Sequence, residues 1–284
     1  MRICILFGLV VLIISITAAR AQNTDPPPRI DVPQSPTPPR IDASEQDPAW
    51  TSAALISSLT VSLRTGGEKL SPLPTQVRLL WDADWLYIRF TCTAGEIYSP
   101  FTHHGDKLYQ GDVVEVFIDP KGDGRHWLEV EVSPNNVTME VQTMLTAEPK
   151  WDANRILTRE IISRDLWANL DYTLAGMRTA ASIRRDQDKV IGWTVDLALP
   201  ARVLMRRLGA DRFSPGALRA NFMRYAYPAP AKEGDKRSLI AMNWAPVMYG
   251  QPHISPAAMG YVTLVRRPPD HDAKTPPDTK ETSR

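Results

Sequence analysis

Two hairpin signatures, in which apolar and polar residues alternate with a period of two, constrain this chain more than any other feature. Val77-Arg78-Leu79-Leu80-Trp81 and Leu86-Tyr87-Ile88-Arg89-Phe90 are rich in β-branched and aromatic residues, and Asp82-Ala83-Asp84-Trp85 between them supplies turn formers. In the second arm the alternation sends Leu86, Ile88, Phe90 and Cys92 to one face and Tyr87, Arg89 and Thr91 to the other. The second pair covers residues 112–119 and 127–132, joined by Pro120-Lys121-Gly122-Asp123-Gly124. Val114, Val116 and Ile118 share a face, as do Leu128, Val130 and Val132, with Trp127, Glu129 and Glu131 opposite.

Further strands are expected near residues 191–199, 218–224 and 260–265, and one short helix over residues 200–208, with Pro200 in its first turn. Strands recur without strand–helix alternation. The fold expected is therefore all-β, a two-sheet antiparallel β-sandwich (jelly-roll-like) with one short helix.

The ends of the chain read differently. Arg2, the apolar run over residues 3–16 and Ala19-Arg20-Ala21 make residues 1–21 a signal peptide, with a secreted or periplasmic destination. The run is shorter than the roughly 20 residues needed to span a bilayer. Residues 22–39 are proline-rich and read as a linker, residues 267–284 as a disordered tail, and residues 40–266 as the folded domain. Without residues 1–21, Cys92 is the one cysteine left, so no internal disulfide forms; burial as a small hydrophobe is its expected role. Basic and acidic residues then number 31 and 32, a balance that gives no support to a nucleic-acid or anionic-membrane surface.

Motifs for most chemistries are missing. The five histidines, His103, His104, His126, His253 and His271, form no compact metal-ligand spacing. The turn over residues 119–124 places Asp119, Asp123 and Gly124 as a calcium loop would, but Lys121 occupies a ligand position, so structural calcium is a weak expectation there. No nucleophile elbow or phosphate loop is present. Glu129 and Glu131, about 7 Å apart along one strand face, could serve a glycosidase, although a solvated strand face is the plainer reading. Glu115, set among apolar neighbours, is costly to bury unpaired, and is either a paired structural group or a site residue. Tyr98, Tyr109, Trp127, Trp151, Trp167, Trp244 and Tyr249 fall outside the clearest core alternations. Aromatic planes stack on the apolar faces of sugar rings, and Tyr109 lies in a loop leading into the strand of Glu115.

The segments VRLLWDADWLYIRF and GDVVEVFIDP, with the opening Ile41-Asp42 and Asp47-Pro48-Ala49-Trp50, then HWLEVEVSPNN, GWTVDLALP and NWAP, resemble the family 9 carbohydrate-binding modules and their DOMON-like relatives over roughly residues 40–266. The resemblance implies a two-sheet sandwich that binds sugar without catalysis, as an accessory to polysaccharide breakdown, and that in some members carries calcium. It also implies a clamp of two aromatic residues around a terminal sugar. The first clamp position falls on Tyr109, and the family's acidic sugar ligand on Glu115. The second clamp position falls on His253, with Tyr249 close enough to substitute, and the family's basic ligand is replaced by Glu129. Two other readings stand beside it: a haem-binding relative with methionine and histidine axial ligands, and a glycoside hydrolase using Glu129 and Glu131.

Overall fold

A computed structural model describes residues 26–61, 69–153, 155–230, 234, 236–247 and 252–266. The expected signal peptide and tail, and the candidate Tyr249, lie outside the described residues. Among those described, no helix is long and apolar enough to cross a membrane.

The chain forms two sheets packed face to face. The smaller contains β2 (Ala54–Ile56), β5 (Thr75–Trp81), β6 (Trp85–Thr93), β11 (Arg178–Asp186) and β12 (Lys189–Pro200), in the order β11-β12-β6-β5-β2. The larger runs from β10 (Leu166–Tyr172) through β9 (Thr138–Leu145), β8 (His126–Val132), β7 (Val113–Asp119), β13 (Gly216–Ala226) and β14 (Ile240–Asn243) to β3 (Thr60–Val61) and β4 (Lys69–Leu70). At its side β15 (Gly260–Val265) pairs with β13, and β1 (Arg29–Pro33) pairs with β15. All pairings are antiparallel except β1 with β15.

Period-two alternation produces this arrangement. Leu86, Ile88, Phe90 and Cys92 of β6 face Val114, Val116 and Ile118 of β7 and Leu128, Val130 and Val132 of β8 within one continuous buried core. Cys92 is fully buried, as its alternation implied, and burial pushes its thiol up to about 11. Arg224, also in the interior, donates to Thr75 Oγ1 and to the Thr93 carbonyl, each at 2.9 Å, so that its charge is held by oxygens of the facing sheet.

Two expectations need correction. The proline-rich segment 22–39 is not all linker, because residues 29–33 form a strand with Val32 fully buried. The Trp81 indole N–H reaches the carbonyls of both Val32 and Val265, at 3.0 and 3.1 Å, and tertiary pairing thereby overrides local composition. Proline is tolerated at Pro33 because this strand lies at an edge. The helix at 200–208 is α2 (Ala201–Leu204) followed by a 3₁₀ turn at Arg206–Leu208, but a second helix, α1 (Arg159–Arg164), accompanies it. With six residues and one buried side chain, Ile161, α1 is too short to display a helical period.

Candidate functional site

The outer face of the larger sheet carries three glutamates. On β7 the outward positions run Val113, Glu115, Phe117; on β8 they run Glu131, Glu129, Trp127. Glu115 is paired in register with Glu131, and Phe117 with Glu129. Apolar cover lies on either side of this acidic band. Phe101, Leu108, Val113, Met139 and Val141 cluster at one end, whereas Phe117, Trp127, Leu145, Leu157, Met223 and Val247 cluster at the other. Tyr225 on β13 packs against both clusters.

Each cover is held by specific bonds. Asp112 accepts the backbone N–H of Tyr98 at 2.9 Å and that of Tyr227 at 2.8 Å, which fixes the loop before β7. Gly111 is required there, because a Cβ would lie 2.6 Å from the Phe101 ring and 2.8 Å from the Tyr98 carbonyl oxygen. A 3₁₀ turn at Leu108–Gln110 then delivers Tyr109, whose carbonyl accepts the Tyr227 hydroxyl at 2.7 Å. The Tyr109 backbone N–H donates to Glu131. On the other side, Asn221 exchanges two hydrogen bonds with Ala245, at 2.9 and 2.8 Å, and Arg219 donates to the Ala257 carbonyl at 2.8 Å. Both residues project outward from β13 and pin the second cover to the sheet.

The electrostatics of the band are unusual. Glu115 and Glu131 are 2 % and 1 % exposed, and one carboxylate oxygen of each is buried without a hydrogen-bond partner. Burial pushes both carboxyls well above the ordinary range, and repulsion within the trio pushes them further. Glu129 is half-buried; burial raises it to about 7, opposed by a hydrogen bond from Glu131. Tyr109, Tyr225 and Tyr227 are each raised, chiefly by burial and then by these carboxylates. Among the described residues, no lysine, arginine or histidine offsets the trio.

The structure therefore brings together Tyr109, Glu115 and Glu129. His253 lies elsewhere in the second cover, exposed in a 3₁₀ turn at Pro252–Ile254 that is tied to the chain when Ile254 accepts the Leu157 N–H at 2.8 Å. Glu131 belongs with the first group, and the solvated-face reading of Glu129 and Glu131 is corrected, because both cover loops lie over this sheet face. Trp127, an aromatic candidate, is fully buried as floor beneath the second cover and cannot present a stacking plane. Tyr225 and Tyr227 were not anticipated; their spacing of two in Arg224-Tyr225-Ala226-Tyr227 is the signal that places both on the outward face.

The proposed calcium turn is a poor fit for a cation. Asp119 accepts backbone N–H groups of Lys121, Gly122 and Gly124 at 3.1, 2.8 and 2.7 Å, and the Lys121 ammonium bridges Asp123 at 3.0 Å. Among the described residues, no group of three or more His, Cys, Asp or Glu side chains is arranged to hold a metal ion.

Comparison with known proteins points to the same fold. A profile of the family described as carbohydrate family 9 binding domain-like matches residues 41–165, a span that contains Tyr109 and all three glutamates. A search of curated proteins returns no match. Among solved structures, a family 9 carbohydrate-binding module from Caldicellulosiruptor kristjanssonii in complex with cellotriose is 18% identical, with a TM-score of 0.53, covering 88% of this chain and 100% of its own. The same organism's module in complex with glucose gives 18% identity and a TM-score of 0.52, with 86% and 99% covered. A Bacteroides uniformis protein for which carbohydrate binding has been suggested is 10% identical, with a TM-score of 0.59, covering 84% of this chain and 100% of its own. The match is to a family of binding domains rather than of enzymes: residues 41–165 are similar to the carbohydrate family 9 binding domain-like profile, and the chain shares the sandwich fold of the solved family 9 modules.

Proposed function

We propose that this chain is a non-catalytic sugar-binding module that works outside the cytoplasm as an accessory to glycan breakdown. The observation that carries the reading is the position of Tyr109 beside Glu115, Glu129 and Glu131, between the two covers of the larger sheet and within the region matched to the family. An aromatic plane next to carboxylates suits a sugar, whose ring C–H face stacks while its hydroxyls donate hydrogen bonds. The solved relatives in complex with cellotriose and glucose support the same class of ligand. His253, in the second cover, and Tyr249, outside the described residues, are the candidates for the opposite side of the ligand.

Titration calorimetry of the purified protein against a broad glycan panel tests the reading. A ligand is expected, and Tyr109→Ala is expected to weaken it by more than about 1 kcal/mol, the loss that marks a contributing aromatic anchor. Silence across the panel would overturn the proposal. Export follows from residues 1–21, and a mature N-terminus after Ala21, read by mass spectrometry of protein secreted from an expressing cell, is the expected result.

A further inference from the structure

The sugar-binding reading leaves open what chemical feature a ligand must have, and the uncompensated carboxylates address this. Six acidic residues are fully buried among those described: Asp112, Glu115, Asp119, Glu131, Glu140 and Asp196. Four have a compensating partner. Asp112 and Asp119 accept backbone N–H groups, Asp196 meets the Arg89 guanidinium at 2.7 Å, and Glu140, whose Oε2 is buried without a hydrogen bond, accepts from Thr138 and the Leu174 backbone and lies 3.6 Å from the His104 ring. Glu115 and Glu131 differ in facing other carboxyls, both lying against half-buried Glu129: Glu131 accepts the Tyr109 backbone N–H, but Glu115 Oε1 and Glu131 Oε2 are each buried without a partner. The Trp127 indole N–H, on the same strand face as Glu129 and Glu131, is also buried without a partner.

Three carboxyl groups with no cation among the described residues are poorly matched to a neutral ligand alone. A neutral sugar can share their protons, but it leaves their mutual repulsion in place. A metal ion would relieve that repulsion, yet the described side chains are not disposed to ligate one. An ammonium group fits better, since it donates three hydrogen bonds and also favours the faces of nearby aromatic rings such as Tyr109, Tyr225 and Tyr227. We infer that the site takes a sugar bearing a free amine, such as a glucosamine unit of a deacetylated chitin chain, with the ammonium seated among Glu115, Glu129 and Glu131. The inference rests on the sugar-binding reading above and narrows it to one class.

An ammonium stabilises the ionised carboxylates, so binding expels a proton from the trio to the buffer. Among the described residues, the titratable groups facing the trio are Tyr109, Tyr225 and Tyr227, which stay protonated throughout because burial and the carboxylates raise them.

The test compares the fully deacetylated glucosamine trimer, its N-acetylated counterpart and cellotriose by calorimetry on the full chain near neutral pH. The glucosamine trimer is expected to bind about tenfold more tightly than cellotriose, with heats that vary with the buffer's ionisation enthalpy. Acetylation, which removes the charge without touching the protein, is expected to abolish that advantage. Glu115→Gln and Glu131→Gln are each expected to narrow the difference, with circular dichroism confirming the fold. Cellotriose binding with no preference for the amine would overturn this inference and leave the sugar-binding reading standing. Failure of all three trimers to bind, with the panel above also silent, would remove both. Displacement of a bound glucosamine trimer by calcium alone would also overturn it, by assigning the trio to a metal.

Discussion

Each sheet carries buried acid on its outer face, but the two handle it differently. On the smaller sheet, Asp196 of β12 receives Arg89 of β6 in a two-point bridge with both distances 2.7 Å, accepts the Ala43 N–H at 2.9 Å, and lies under Arg89 stacked 4.7 Å over Trp50. On the larger sheet, Glu115, Glu129 and Glu131 meet one another with no basic group among the described residues to match them. Burial raises the acids in both places, yet only at Asp196 does a fixed opposite charge oppose the rise. A closed ion pair whose lone pairs are satisfied is a structural fastening. An open cluster of carboxyls destabilises the empty protein, and is more readily understood as one half of a contact that a ligand completes.

The contrast breaks most readily at the closed end. Arg89→Ala strands Asp196 in the interior and should cost about 3–5 kcal/mol in urea unfolding, the range for removing one partner of a buried pair. A small loss would mean that the bridge is a passive surface contact. The pH dependence of stability should be next in size. The folded carboxyls hold protons more tightly than unfolded ones, so their contribution is complete below about pH 4.5 and is lost as pH rises towards about 7. From Glu129 alone the fall should be roughly 2–3 kcal/mol, and a flat profile would show that the trio is not desolvated in solution.

Glu131→Gln should stabilise the ligand-free protein near neutral pH by about 1–2 kcal/mol while weakening binding, because the amide avoids the cost of either protonating or charging a buried carboxyl at that pH. Loss of stability in that variant would move Glu131 into the class of Asp196. The smallest effect is expected from chelation. Asp119 is satisfied by its own backbone N–H groups, so EDTA should leave the thermal midpoint unchanged, whereas a shift would show that a calcium ion contributes after all.

Much of the sandwich was legible because period-two alternation is local information. Leu86, Ile88, Phe90 and Cys92 announce their shared face without reference to anything distant, and the structure keeps them together in the core. Residues 29–33 were illegible for the opposite reason: what makes them a strand is an edge offered by residues more than two hundred positions away. The site was partly legible. Tyr109, Glu115 and Glu129 could be singled out from their strand and loop, but their burial depends on two cover loops pinned by Arg219, Asn221 and Asp112. Sequence pattern shows which face Glu131 takes, not whether something covers that face. The second helix was hidden by its length.

The pairing of β1 with β15 bears on how the molecule is made. Residues 29–33 are synthesised more than two hundred residues before their partner strand, so they stay unpaired until residue 265 has emerged. The Trp81 indole, which joins the carbonyls of Val32 and Val265, cannot complete both bonds before then. Such late, sequence-distant closure predicts a slow final folding phase.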